Sequence, residues 1–163
     1  MKPEEFEIFI ACVPGLEHEL LSEIKKNNFK QAKLMVGGAS LLGDWRDVWR
    51  ANFYLRGATK VLVRFASFRA IHLSQLDKRS RKLDWGKLLN FKKPFKVETV
   101  CHKSKIYHSK AASQRISKAI SNKIDATEDP NSGIIIKTRI SSDICTISLD
   151  SSGEGLHKRG YKI

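Results

Sequence analysis

At 163 residues the chain has the length of one ordinary domain or two small ones, and 41% hydrophobic with 29% charged residues describes a soluble globule with an adequate core. No apolar run approaches the roughly 20 residues of a membrane-spanning helix, and the acidic, strand-like start MKPEEFEIFI lacks the basic head and apolar middle of a secretory signal. Thirty Lys and Arg against seventeen Asp and Glu leave +13, and all of it falls in residues 60–125, which hold seventeen basic and four acidic side chains; residues 1–59 (eight of each) and 126–163 (five of each) are neutral. Charge gathered in this way is the pattern of a polyanion-binding face rather than of a generally solvated surface. The basic segment has no long amphipathic helix with bulky aromatics opposite its charges, which argues against a membrane-surface role.

In chain order, Phe6 to Cys12 reads as a buried strand and Pro14-Gly15 as a turn. From Leu16 to Asn27 the apolar residues Leu16, Leu20, Leu21 and Ile24 form one helical stripe, with Glu17, Glu19 and Glu23 early and Lys25 and Lys26 late, as the helix dipole favours. Lys33–Val36 and Ala39–Leu42 are short strands around a Gly37-Gly38 hairpin turn. Asp44 caps a helix to about Leu55 with Val48, Ala51, Asn52 and Leu55 inward. Trp45 and Trp49, four residues apart on one face of it, are expected as core anchors rather than base-stacking platforms. A strand from Lys60 to Phe68 follows. The order strand, helix, strand, strand, helix, strand is that of the ferredoxin-like split unit, assigned to residues 5–69.

A second pattern begins with helical pieces at Ile71–Leu76 and Trp85–Leu89, separated by the basic run Lys78-Arg79-Ser80-Arg81-Lys82. Phe95–Cys101 is a strand. Ser109–Asp125 is a strongly periodic helix, apolar at Ala112, Ile116, Ala119, Ile120 and Ile124, with Lys110, Gln114, Arg115 and Lys118 over a broad polar arc. Lys123 lies near the apolar stripe, and its stem is expected along the core edge with the ammonium in water. After the loop DATEDPNSG come strands at Ile134–Ile140 and Asp143–Leu149. The fold class is therefore α+β.

Catalytic and metal signatures are lacking. Cys12, Cys101 and Cys145 form no C-x-x-C pair, so zinc is not expected and buried thiols in a reducing cytosol are. The five histidines have no metal-like spacing, and neither G-x-S-x-G nor a Walker-type loop occurs. Gly153-Glu154-Gly155 lacks the third glycine and the following helix of a nucleotide loop. Binding has two clusters. One is the 78–82 run, continued by Lys87, Lys92, Lys93 and Lys96. The other is Lys103, Lys105, His108, Lys110, Arg115 and Lys118, at the start and along one side of the long helix. Free N–H groups at a helix start beside lysines suit phosphate. Tyr107 is placed either to stack on a base or to pack on the sheet. If ~4–6 phosphates are neutralised, affinity falls as about the fourth to fifth power of salt concentration.

The opening FIACVPGLEHELLSEI, the GGASLLGD turn and helix start, the strand–helix–strand–strand block 95–150 and the ending SLDSSGEGLHKRGYK together resemble the N-terminal half of RNA guanine-N2 methyltransferases, the large-subunit ribosomal RNA enzymes and their tRNA-modifying relatives. The resemblance covers essentially the whole chain, and its most specific part is the L-H-K-R-G-Y ending. It implies a ferredoxin-like domain (1–69) and then a THUMP α/β domain (70–155, a profile of which may start nearer 45). Residues 156–163 become the junction to a Rossmann-type methyltransferase domain. It further implies a cytoplasmic protein that holds structured RNA, ribosomal or transfer, for methylation from S-adenosylmethionine by that further domain. The family's asparagine-proline-proline-aromatic loop is absent, so no catalytic residue is assigned here. The expected RNA contacts are Lys78, Arg79, Arg81, Lys82, Lys103, Lys105, Lys110, Arg115 and Lys118. Lys158 and Arg159 either face RNA or lock two domains together. The competing expectation is a stand-alone, non-enzymatic RNA-binding or ribosome-associated protein.

Overall fold

The computed structural model describes residues 4–89 and 93–159, which divide into two compact units, residues 1–64 with 150–163 and residues 65–149. The sequence-based division at 69/70 and 155/156 differs in position from this one, because strand β4 (Lys60–Arg69) and strand β7 (Ile144–Asp150) each contribute residues to both units.

The first unit contains β1 (Phe6–Ala11), α1 (Glu17–Lys26), β2 (Lys33–Met35), β3 (Gly38–Gly43), α2 (Trp45–Tyr54) and the start of β4. Its strands run in the antiparallel order β2-β3-β1-β4, the ferredoxin-like arrangement expected from the order of elements. The register sets Ile8 beside Leu41 and Val63, and Ile10 beside Ala39 and Val61, so the alternating apolar residues share one buried face. Leu20 and Ile24 of α1 and Val48 and Ala51 of α2 are buried with them. The hairpin needs both glycines. Gly37 has φ +80°, and a Cβ on Gly38 would lie 1.9 Å from the Ile10 carbonyl oxygen.

Helix α2 starts on a reciprocal cap. The Asp44 carboxylate accepts the Arg46 and Asp47 amides (2.8 and 3.3 Å), and the Asp47 carboxylate accepts the Asp44 amide (3.2 Å). The Arg46 guanidinium bonded to Asp44 holds that carboxyl below the usual carboxylate range.

The second unit contains the rest of β4, α3 (Leu73–Arg81), α4 (Trp85–Leu88), β5 (Lys96–His102), α5 (Ser109–Ile124), β6 (Ile135–Ser141) and most of β7. β6 lies between β5, parallel to it, and β7, antiparallel to it. This is an α/β unit with a mixed sheet, of the α/β class expected for the second part of the chain. Its core joins Leu76 and Trp85 to Ala112, Ile116 and Ile120 of α5 and to Val97, Ile136, Ile140 and Ile147 of the sheet. The Trp85 indole N–H, fully buried, donates to the Ser80 carbonyl (2.8 Å).

Two expectations are corrected here. The basic run 78–82 is not a spacer between helical pieces. It forms the last turns and C-cap of α3, because Leu76 and Ser80 keep a buried face through it. Trp45 and Trp49 are not core anchors. They are 44% and 67% exposed, since the inward face of α2 is supplied by Val48, Ala51 and Leu55. Among the thiols, Cys12 and Cys145 are buried and Cys101 is half-buried. Burial pushes the Cys145 thiol up to about 12, so it stays protonated at neutral pH.

Candidate nucleic-acid interface

The start of α5 is built by the loop that precedes it. Ile106 is buried and pins that loop to the core. Upstream, the Ser104 hydroxyl donates to the His102 carbonyl (2.9 Å) and accepts the Asp143 amide (3.0 Å), while the Asp143 carboxylate accepts the Lys105 amide (2.8 Å). The Ser142 amide donates to the His102 carbonyl (3.2 Å). Lys103 sits in the left-handed region at φ +43° within this knot. The side chains of Lys103 and Lys105 remain exposed at its rim.

Tyr107 is 72% exposed, so it does not pack on the sheet. Its ring meets the His108 ring at 4.1 Å between centroids. His108 is the N-cap of α5 and makes no side-chain cap bond, which leaves the first amides of the helix without a capping oxygen from that residue. Along α5, Lys110, Gln114, Arg115, Lys118 and Lys123 are exposed, while Ala112, Ile116, Ala119 and Ile120 are buried. Uncapped amides, exposed lysines and an exposed aromatic pair at one helix start suit phosphate and a nucleobase together.

α3 packs against α5. Of its cations, Arg81 is paired with Asp77 (3.0 Å) and Arg79 donates to the Arg69 carbonyl, so both are partly committed to the helix end. Lys78 and Lys82 are exposed there. In β5 and β6, Lys96 and Lys137 flank Glu98, and Lys60 is held by the Asp150 carboxylate, so these cations serve the fold. Lys92 lies outside the described residues. The structure thus collects Lys103, Lys105, Lys110, Arg115 and Lys118 on one element and its entry loop, with Lys78 and Lys82 on the helix packed beside it.

Lys158 and Arg159 stand apart from that group. They sit on the tail, which belongs to the first unit. Lys158 is 3.5 Å from Glu154, and the Arg159 guanidinium donates to the Phe53 and Leu55 carbonyls, both at 3.1 Å, closing the C-terminal end of α2. Gly160 and Tyr161 lie outside the described residues.

The residues before them, whose sequence pattern gave no chemical role, form a hydrogen-bonded clamp. The Asp150 carboxylate accepts the Lys60 ammonium (2.7 Å) and the Ser152 and Gly153 amides (2.9 and 3.2 Å). The Ser151 and Ser152 hydroxyls engage the Asn52 side chain and both backbone groups of Val61. Only their pairing with residues about a hundred positions earlier explains them, and no local spacing could have shown it.

Among the described residues, no group of three or more His, Cys, Asp or Glu is placed to hold a metal ion, and no helix is long and apolar enough to cross a membrane.

The fold is thus a ferredoxin-like unit and a second, α/β unit that carries the cationic helix start. Comparison with known proteins points the same way. Residues 7–62 match the family described as the RlmL ferredoxin-like domain. Over 163 aligned residues the chain is 29% identical to "Putative RNA methyltransferase YpsC" of Bacillus subtilis, covering 94% of this chain and 42% of that relative. A solved structure from Listeria monocytogenes, described as a "predicted N6-adenine-specific DNA methylase", superposes with TM-score 0.86 at 28% identity, over 98% of this chain and 44% of that one. SMU.472, a "putative methyltransferase complexed with SAH", shares the fold at 24% identity and TM-score 0.84, over all of this chain and 45% of that one. The chain spans about two-fifths of the length of the relatives it matches. Residues 7–62 thus resemble the RlmL ferredoxin-like domain, and nearly the whole chain aligns with about two-fifths of relatives named as putative RNA methyltransferases.

Proposed function

We propose that this chain is the RNA-recognition part of an S-adenosylmethionine-dependent RNA methyltransferase of the cytoplasm. Its task is to hold a structured ribosomal or transfer RNA while a further, Rossmann-type domain transfers the methyl group to the exocyclic N2 of a guanine. Residues 70–155 carry the recognition. The observation that carries this reading is the α5 start, where uncapped helix amides, Lys103, Lys105 and Lys110, and the exposed Tyr107–His108 pair stand together on a loop fixed by Asp143. Such a surface grips phosphate without reading sequence and offers a ring on which an unpaired base can lie. Relatives named as RNA methyltransferases along nearly the whole chain support the same substrate class.

Competition of transfer RNA, ribosomal RNA fragments and duplex DNA for the purified chain, at several salt concentrations, tests it. Structured RNA is expected to outcompete duplex DNA, with affinity falling steeply as salt rises. Equal or better retention of duplex DNA overturns it, DNA being the substrate that the Listeria protein's name carries.

A further inference from the structure

Helix α2 presents three faces. Counting 3.6 residues per turn, Ala51 and Val48 lie on the buried side, Asn52 at its border, and Trp45, Trp49 and Phe53 in one stripe beyond Asn52. The stripe is open to water, with Trp45 44%, Trp49 67% and Phe53 71% exposed, and the half-exposed Tyr54 meets Phe53 edge-on at 5.0 Å. Trp45 also leans on Phe6, 5.2 Å between centroids. The helix beneath is fixed by its capping box and by the buried Val48 and Ala51, so these rings are offered from a rigid support. Contiguous exposed aromatics mark an interaction surface, and Trp and Tyr dominate the energetics of such surfaces.

The electrostatics argue against RNA as the occupant. A base-stacking platform works inside a cationic groove. The arginines on α2 are instead neutralised in place, Arg46 by Asp44 (2.8 Å) and Arg50 by Asp47 (2.9 Å). The tail argues for a tethered partner. Its clamp holds the chain along Asn52, at the border of the stripe, and Arg159 then seats on the carbonyls that end α2. Whatever follows Arg159 therefore starts at the foot of the aromatic stripe. In the relatives matched, more than half of the chain lies outside the matched part. A domain attached there has a high effective concentration for this face and needs only a modest apolar contact to stay on it.

We propose that the Trp45–Trp49–Phe53 face of α2 is the docking seat of the domain that follows the clamped tail, a folded partner in cis whose contacting surface is apolar and poor in charge. This rests on the reading that the natural protein continues into a catalytic domain. The test places a cysteine at Trp49 (Trp49→Cys) in the 163-residue chain and in the full-length parent, and measures the rate of labelling by a charged maleimide against the unsubstituted proteins. Gln114→Cys on α5 is the companion probe.

Trp49→Cys is expected to label fast in the short chain and about tenfold or more slower in the parent, since access governs the rate, with no change on adding transfer RNA. Gln114→Cys is expected to label equally in both proteins and to be protected by RNA. Equal Trp49→Cys rates in the two proteins overturn the docking seat. So does slow labelling in the short chain that depends on protein concentration, which would assign the face to a second copy, and so does protection of Trp49→Cys by RNA. Loss of RNA protection at Gln114→Cys alone counts against the recognition face and leaves the docking seat standing. A natural chain that ends with the tail overturns the docking seat.

Discussion

The two units solve the problem of surface charge in opposite ways. The first holds thirteen Lys and Arg against ten Asp and Glu, a net of +3, and the arginines of its α2 lie beside carboxylates. The second holds seventeen against seven, a net of +10, and leaves the cations of α5 exposed in an arc. Helix α2 of the first unit exposes an aromatic stripe instead, Trp45, Trp49 and Phe53. The contrast teaches that most of the excess charge belongs to the second unit, on α5, its entry loop and α3, and that a unit with little net charge can still expose a contiguous aromatic stripe.

The sharpest way to probe the second unit alone is Trp85→Ala. Removing a fully buried indole that also satisfies the Ser80 carbonyl is expected to cost ~3–5 kcal/mol, read as faster amide exchange in β5 to β7 and a lower melting temperature. Asp150→Ala tests the first unit. It leaves the Lys60 ammonium, 25% exposed, without its carboxylate and frees two tail amides, at about 3 kcal/mol, with lost exchange protection expected at Ser152 and Gly153.

Lys110→Ala combined with Lys118→Ala breaks the functional half of the contrast. RNA binding is expected to weaken about tenfold and the salt slope to shrink by about 1–2, with unchanged melting. Trp49→Ala in the same assay is expected to leave RNA binding intact, and a loss equal to that of the lysine pair would erase the distinction between the units.

The smallest effect concerns how stability depends on pH. Glu98, hydrogen-bonded first by Lys137 and then by Lys96, has its carboxyl held below its ordinary 4.5. A folded value below the unfolded one means that its contribution is complete above the ordinary value and is lost as pH falls through the folded value. Glu98→Gln should therefore lower the stability of the second unit slightly at neutral pH, flatten the acid limb of its profile, and make no difference below the folded value.

The ferredoxin-like order was legible because its punctuation is local, with Pro14-Gly15, Gly37-Gly38 and the Asp44 cap falling between runs of matching period. The long cationic helix was legible for the same reason. The run 78–82 was misread because the residue that continues the buried face of α3 is Ser80, a hydroxyl that periodicity counts as polar. Trp45 and Trp49 were misread because spacing of four says that two rings share a face and not which way the face looks. The tail clamp was out of reach, since Asp150, Ser151 and Ser152 act on Lys60, Val61 and Asn52 far back in the sequence.

The loop ahead of α5 is tied down before any ligand arrives, by the Asp143 carboxylate on the Lys105 amide and by the Ser104 hydroxyl. Ordering it therefore costs little at the moment of association. Arrival should be rapid and limited by collision, its heat-capacity change small, and the backbone from His102 to Lys110 nearly superposable with and without its guest.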